Sequence, residues 1–199
     1  MLNDRAAFVT DASEAWKAAW QPMIEAIGRD FDEKPPVFVA DVVECGAIRR
    51  YLEPLELDCA LHYDPEVARA HGYADVVVPV SALATFAIAP MWRPGEALFT
   101  SEERNAPPAS SAVSGIKTGL EPPTTGYFAT NVDLEYFVPV VAGDRLLKRG
   151  ARLVGCEPKQ TKVGCGAFLT WESELVNQRQ EVVMRSRSTF FRYNPLVQP

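Results

Sequence analysis

Residues 167–190 read AFLTWESELVNQRQEVVMRSRSTF, and this stretch decides the architecture. Ala167, Leu169, Trp171, Ser173 and Leu175 alternate with Phe168, Thr170, Glu172 and Glu174. Further on, Val182, Met184, Ser186, Ser188 and Phe190 alternate with Val183, Arg185, Arg187 and Thr189. Successive side chains of a strand point to opposite faces, so alternation at period two predicts antiparallel strands with one covered face. The same pattern stands upstream, where Val132, Leu134 and Tyr136 alternate with Asn131, Asp133 and Glu135. Gly143-Asp144 marks a turn leading into another strand at 145–156. The C-terminal third therefore reads as a meander of long strands.

Such a sheet needs a cover. Residues 81–89, SALATFAIA, are apolar nearly all round, which predicts a helix capped by Ser81 and buried on every side. The expected class is α+β, a helix on an antiparallel sheet. Residues 11–29 carry a second helix pattern, with Asp11 or Ser13 to cap it and Trp16, Trp20, Met23 and Ile27 among its apolar positions. Pro22 lies inside that pattern and should divide or kink it. The break Asp-Glu-Lys-Pro-Pro at 32–36 separates an N-terminal helical extension, 1–36, from one domain over 37–199. Docking onto a partner is the role expected of that extension. Val37–Val43 reads as a strand, and Cys45–Leu55 as a short amphipathic helix with Ile48, Tyr51 and Leu52 on one face. Residues 91–126 hold Pro94, Pro107, Pro108, Pro122 and Pro123 and read as a long loop, of the kind usually functional or disordered.

Composition removes several classes of function. The 199 residues are 47% hydrophobic and 23% charged, ordinary for a globular domain, and the formal charge is -6. Arg49-Arg50 and Arg185/Arg187 are isolated pairs and not the concentrated basic patch that phosphate backbones require, so nucleic acid is not an expected partner. No stretch approaches the ~20 apolar residues of a membrane span, and the charged start MLNDRAAF does not resemble a signal peptide. Cys45, Cys59, Cys156 and Cys165 form no C-x-x-C pair, so reduced thiols, a cytoplasmic location and no metal site are expected.

Both histidines fall in Tyr51–Val80, YLEPLELDCALHYDPEVARAHGYADVVVPV. Pro65 is placed to start a short helix after an Asp64 cap, and Gly72 to stop it, with His71 near the last carbonyls. Val76-Val77-Val78-Pro79 reads as a short buried strand. A polar, histidine-bearing loop between a helix and an apolar turn is where a scaffold presents chemistry.

Three segments together resemble the MaoC-like hydratases and dehydratases of the hot-dog fold. The first is Ile48-Arg49-Arg50-Tyr51 through Leu61-His62-Tyr63-Asp64 to Ala68-Arg69-Ala70-His71-Gly72-Tyr73, where the family tends to read I-R-x-F-A-x-A-x-G-D-x-N-P-L-H-x-D…A-x-x-x-G-Y. The second is Val77-Val78-Pro79, like the family's V-A-P-P turn. The third is Glu135-Tyr136 through Pro139-Val140-Val141-Ala142-Gly143-Asp144, like E-Y-x-x-P-V-x-x-G-D, and Asn177 to Val183 fits N-Q-x-G-E-x-V. The resemblance covers most of residues 37–192. It implies a curved antiparallel sheet wrapped around a central helix, here Ser81–Ala89, working as a homodimer or as a heteromer with another hot-dog subunit. It also implies hydration of enoyl thioesters, or the reverse dehydration, with no cofactor beyond the coenzyme A or carrier-protein arm of the substrate.

That chemistry needs a base for water, an acid for the carbon, and donors on the thioester oxygen. The family's motif supplies an Asp and, five residues later, a His. Aligned on His62 without a gap, this chain has Leu57 at the Asp position, Cys59 at the asparagine and Ala60 at the proline, with Asp58 one place late. Leucine cannot accept a proton. Either the loop is shortened and Asp58 acts with His62, or the dyad is absent and the chain is a non-catalytic subunit shaping an acyl pocket. Cys59, Val78, Pro79, Val80 and Ser81 are the expected substrate contacts, with backbone near Val78–Ser81 meeting the thioester carbonyl. A hot-dog thioesterase is a further alternative, for which Glu56 and Asp64 are nominal carboxylates. Asp144, in its turn, is explained by conformation alone.

Overall fold

The computed structural model describes residues 15–32, 40–88, 90, 92–109, 116 and 118–196. Four long strands, β1 (Gly126–Tyr136), β2 (Leu146–Gln160), β3 (Gly164–Asn177) and β4 (Val182–Pro195), form one antiparallel sheet in the order β1-β4-β3-β2. Short helices surround it: α1 (Gln21–Glu25), α2 (Cys45–Leu52), α3 (Pro65–Ala70) and α4 (Leu83–Phe86). Register shifts at Ala129/Asn131, Arg149/Arg152 and Leu153/Gly155 curve the sheet, since each bulge bends its strand.

The alternation in 167–175 translates directly into burial. Ala167, Leu169, Trp171 and Leu175 face the core, while Glu172 and Glu174 face outward and pair with Arg187, Arg149 and Arg185. One core cluster joins Leu175, Val183 and Met184 to Ile48 and Leu52 of α2, to Val76 and Val78, and to Ala82 and Leu83. The other joins Leu153, Ala167, Leu169 and Trp171 to Trp20 and Met23. At about 25 cal/mol per Å² of apolar surface, large side chains such as these supply most of the driving force for folding.

Pro22 divides the N-terminal pattern as expected. It occupies the first turn of α1, where its missing N–H costs nothing. The caps Asp11 and Ser13 lie outside the described residues. At this helix Trp20 and Met23 pack on the chain's own sheet, against Leu153, Ala167, Leu169 and Trp171.

The covering helix departs from expectation. In place of a helix over 81–89 there is a 3₁₀ turn, Val80–Ala82, followed by the single turn α4, with residue 89 outside the described set. Ser81 sits inside the 3₁₀ turn and caps nothing, because Pro79 takes the preceding position. Only Ala82 and Leu83 are fully buried, and Ala84, Thr85 and Ile88 are exposed. One turn lying on one sheet covers a single side, so apolar composition did not mean burial all round. Strand 37–43 is described from residue 40 on, where Val42 bridges Arg145. Within the long loop, Phe99 bridges Pro108.

Candidate functional site

The site lies on the path from α2 to α4. A 3₁₀ turn, Glu53–Leu55, ends α2, and Glu56 follows with φ 50°, in the left-handed region. That reversal throws residues 57–59 outward. Tyr63 steadies them by donating its hydroxyl to the Leu57 carbonyl at 2.8 Å. Ala60–His62 form another 3₁₀ turn, closed by the His62 N–H on the Cys59 carbonyl at 3.0 Å. Asp64 then caps α3 as its sequence position predicted, its carboxylate accepting from the Glu66 and Val67 amides. His71 is the C-cap of that helix, with Nδ1 on the Val67 carbonyl at 2.9 Å, and serves a structural purpose.

His62 is held differently. Its Nδ1 lies 2.7 Å from the carbonyl of Val77, fifteen residues on. A carbonyl only accepts, so Nδ1 must be the donor, and the neutral ring keeps its lone pair on Nε2. The clamp is mutual, because the Val77 N–H donates to the Leu61 carbonyl at 2.9 Å. One backbone unit thus fixes both the position of His62 and its tautomer.

Val77 is itself anchored. The Val78 N–H donates to the Val140 carbonyl at 2.8 Å and the Ala142 N–H to the Val76 carbonyl at 2.9 Å. Asp144 secures this ladder, and turn conformation alone does not account for it. The residue is 2% exposed. One carboxylate oxygen accepts the Val141 amide at 3.0 Å; the other accepts the Gln178 side-chain amide at 2.7 Å and the Arg179 guanidinium at 3.1 Å. Asn177, wholly buried, accepts the amides of Arg179 and Glu181 and donates to the Glu181 carboxylate. Hydrogen bonds from Asn177 and Arg179 hold the Glu181 carboxyl below the ordinary range. The bonds from Gln178 and Arg179 to Asp144 span 34 and 35 residues and leave no local signal in the sequence.

Glu53, Glu56, Leu57, Asp58, Ala60, Tyr63 and Asp64 line an open cleft of about 520 Å³, and His62 is not among them. Leu57 and Asp58 both face that cleft, in acidic company. Cys59 is exposed beside it. Of the other expected contacts, Val78 and Pro79 are buried, while Val80 and Ser81 are exposed at the first turn of the covering helix. The first intrahelical bond there runs from the Ala82 N–H to the Pro79 carbonyl, so the amides of Val80 and Ser81 precede the helix's own acceptors and point along its positive end. Among the described residues no three metal-ligating side chains come together. Cys156, on β2, has its thiol pushed up to about 11 by burial, which removes it as a nucleophile.

The model of the FAS1-like dehydratase domain region matches residues 25–186. No curated protein sequence matches the chain. Among solved structures, the ChsH1-ChsH2 complex from Mycobacterium tuberculosis is similar with a TM-score of 0.63 at 18% identity, over 92% of this chain and 98% of that one. A MaoC-like dehydratase from Rhodospirillum rubrum gives 0.54 at 20% identity, over 86% and 95% of the two chains. The C-terminally truncated HadBC (3R-hydroxyacyl-ACP dehydratase) complex from Mycobacterium tuberculosis gives 0.51 at 15%, over 83% and 96%. At these identities the likeness is one of fold.

Proposed function

The chain belongs to the MaoC-like hot-dog hydratases and dehydratases, and on that footing we propose that it serves an acyl-thioester hydratase or dehydratase as one subunit of a heteromer. One observation carries the reading. Leu57 stands where the family's acid belongs, and Asp58 faces an acid-lined cleft that does not include His62. The chain's contribution is then to shape the acyl pocket and hold the thioester, with the amides at Val80 and Ser81 directed at its carbonyl oxygen. No cofactor is involved beyond the coenzyme A or carrier arm. The two Mycobacterium tuberculosis structures alike in fold, ChsH1-ChsH2 and HadBC, are themselves complexes, which supports a partnered state.

A second reading rests on the clamp at His62. An imidazole with Nε2 bare and its orientation fixed is fit to move a proton to or from water, and Asp58 is the nearest acid in sequence. In that case the chain is a self-sufficient hydro-lyase.

Hydration of a panel of enoyl-CoA thioesters by the purified chain, followed at the conjugated double bond, separates the two. Silence with thioester binding retained is the expected result. Turnover abolished by both His62→Ala and Asp58→Asn would establish the second reading instead.

A further inference from the structure

Val77 and Val141 form an isolated antiparallel bridge outside the four strands. They are its non-hydrogen-bonded pair, since the bonds run from the Val78 N–H to the Val140 carbonyl and from the Ala142 N–H to the Val76 carbonyl. Residues of such a pair turn their own N–H and C=O groups away from each other. Those of Val77 meet the Leu61 carbonyl and His62 Nδ1. Those of Val141 meet the carboxylate and the backbone N–H of Asp144. His62 and Asp144 therefore flank one bridge from opposite sides.

A continuous chain of hydrogen bonds crosses it. A carbonyl and the N–H of the following residue share one rigid peptide plane. The His62 Nδ1–H donates to the Val77 carbonyl at 2.7 Å. The Val78 N–H, in that same peptide group, donates to the Val140 carbonyl at 2.8 Å. The Val141 N–H, in the next group, donates to the Asp144 carboxylate at 3.0 Å. All three bonds point the same way, and the last ends on an anion. Hydrogen bonds in series polarise one another, the more so where water is excluded, and Val78, Val140 and Asp144 are 2%, 1% and 2% exposed. A bond to a charged acceptor is roughly twice as strong as a neutral one. A turn needs only a neutral acceptor at this place, and burying a charge is costly, so the carboxylate calls for a reason beyond the turn. Gln178 and Arg179 bind its other oxygen and leave Oδ2 to the Val141 N–H.

We propose that Asp144 is a positioning residue for His62. Through two peptide groups it strengthens the Val77 carbonyl as an acceptor and so holds the imidazole in its Nδ1–H form. No proton changes atoms along the chain. Among the described residues no carboxylate meets the ring directly, and this one reaches it through the backbone. His71 provides the control, because its Nδ1 lies 2.9 Å from the Val67 carbonyl at a helix end, outside this chain of bonds.

The inference concerns how the ring is held and stands under either reading of the reaction. The two imidazoles of the nitrogen-labelled chain are read by long-range proton–nitrogen NMR correlation at about pH 8, above the ordinary imidazole range. Both are expected in the Nδ1–H form in the wild type. In Asp144→Asn the ratio of Nδ1–H to Nε2–H forms at His62 should fall about threefold or more, the weight of one ordinary hydrogen bond, while His71 keeps its ratio. A wild-type His62 in the Nε2–H form overturns the proposal, as does an unchanged ratio in the variant or an equal fall at both rings. His62→Phe, which keeps a ring and donates nothing, reads the chain of bonds in reverse and serves if Asp144→Asn misfolds. The Val141 amide proton should move upfield as its bond to Asp144 slackens, and His71→Phe should leave it in place. A Val141 resonance indifferent to His62→Phe overturns the proposal equally.

Discussion

β1 and β3 carry the same alternation and meet opposite fates. In β3 the apolar set Leu169, Trp171 and Leu175 disappears into two core clusters. In β1 the equivalent set Val132, Leu134 and Tyr136 stays 53%, 44% and 42% exposed. The register sets Leu134 opposite Ser186 and, one strand on, Ser186 opposite Ser173, so the two strands share one face of one sheet. What separates them is position. β3 is interior, flanked by β4 and β2 and roofed by α1 and α2; β1 is at the rim. Period-two alternation reports that a face is meant to be covered, and only topology says by what.

Substitutions put numbers on that difference. The largest effect is expected at Trp171, 8% exposed and packed edge-on against Phe31 at 5.6 Å between ring centroids. Trp171→Ala should cost about 3–5 kcal/mol in urea unfolding, the range for large aromatics removed from a core. A loss below about 1 kcal/mol would mean that β3 is no better buried than β1.

The outward faces give a smaller, pH-dependent contrast. Burial raises the Glu174 carboxyl, but the hydrogen bonds and charges of Arg149 and Arg185 outweigh it and hold the group below its ordinary 4.5. A carboxyl depressed in the folded state contributes stability above its unfolded value and loses it as pH falls through the folded one. The stability gap between wild type and Glu174→Gln should therefore be level above pH 4.5 and close on further acidification. A gap that instead widens toward low pH contradicts the pairing. The smallest effect belongs to β1. Leu134→Ala should shift the stability of the isolated chain by no more than about 0.5 kcal/mol, as at other exposed sites. A loss comparable to that at Trp171 would show that the rim is covered by the chain itself.

How much of this was legible follows from the range of each interaction. The strands, the division at Pro22, the Asp64 cap and the stop at Gly72 depend on neighbours a few residues apart, and the sequence displays them. The resemblance to the hydratases located His62 and exposed the substitution by Leu57. The clamp on His62 comes from Val77, and the lock on Asp144 from Gln178 and Arg179, across separations no local pattern encodes. The burial expected for 81–89 failed for the reason that β1 stays bare. An apolar residue raises the expectation of a contact without naming one, and Ala84 and Ile88, like Leu134, are exposed.

The Asp144 lock has a consequence for how the molecule opens. The amides of Val43, Val78, Val141 and Ala142 donate to the Asp144 carbonyl, the Val140 carbonyl, the Asp144 carboxylate and the Val76 carbonyl, so no one of these bonds can part far without loosening the rest. They should exchange with deuterium as one cooperative unit with a common protection factor. Asp144→Asn, which removes the charge that draws in Arg179, should lower that factor for all four amides together while leaving the interior of β3 unchanged. Amide exchange followed by NMR would then register the loosening of the His62 clamp as a breathing motion, whatever the chain does to a thioester.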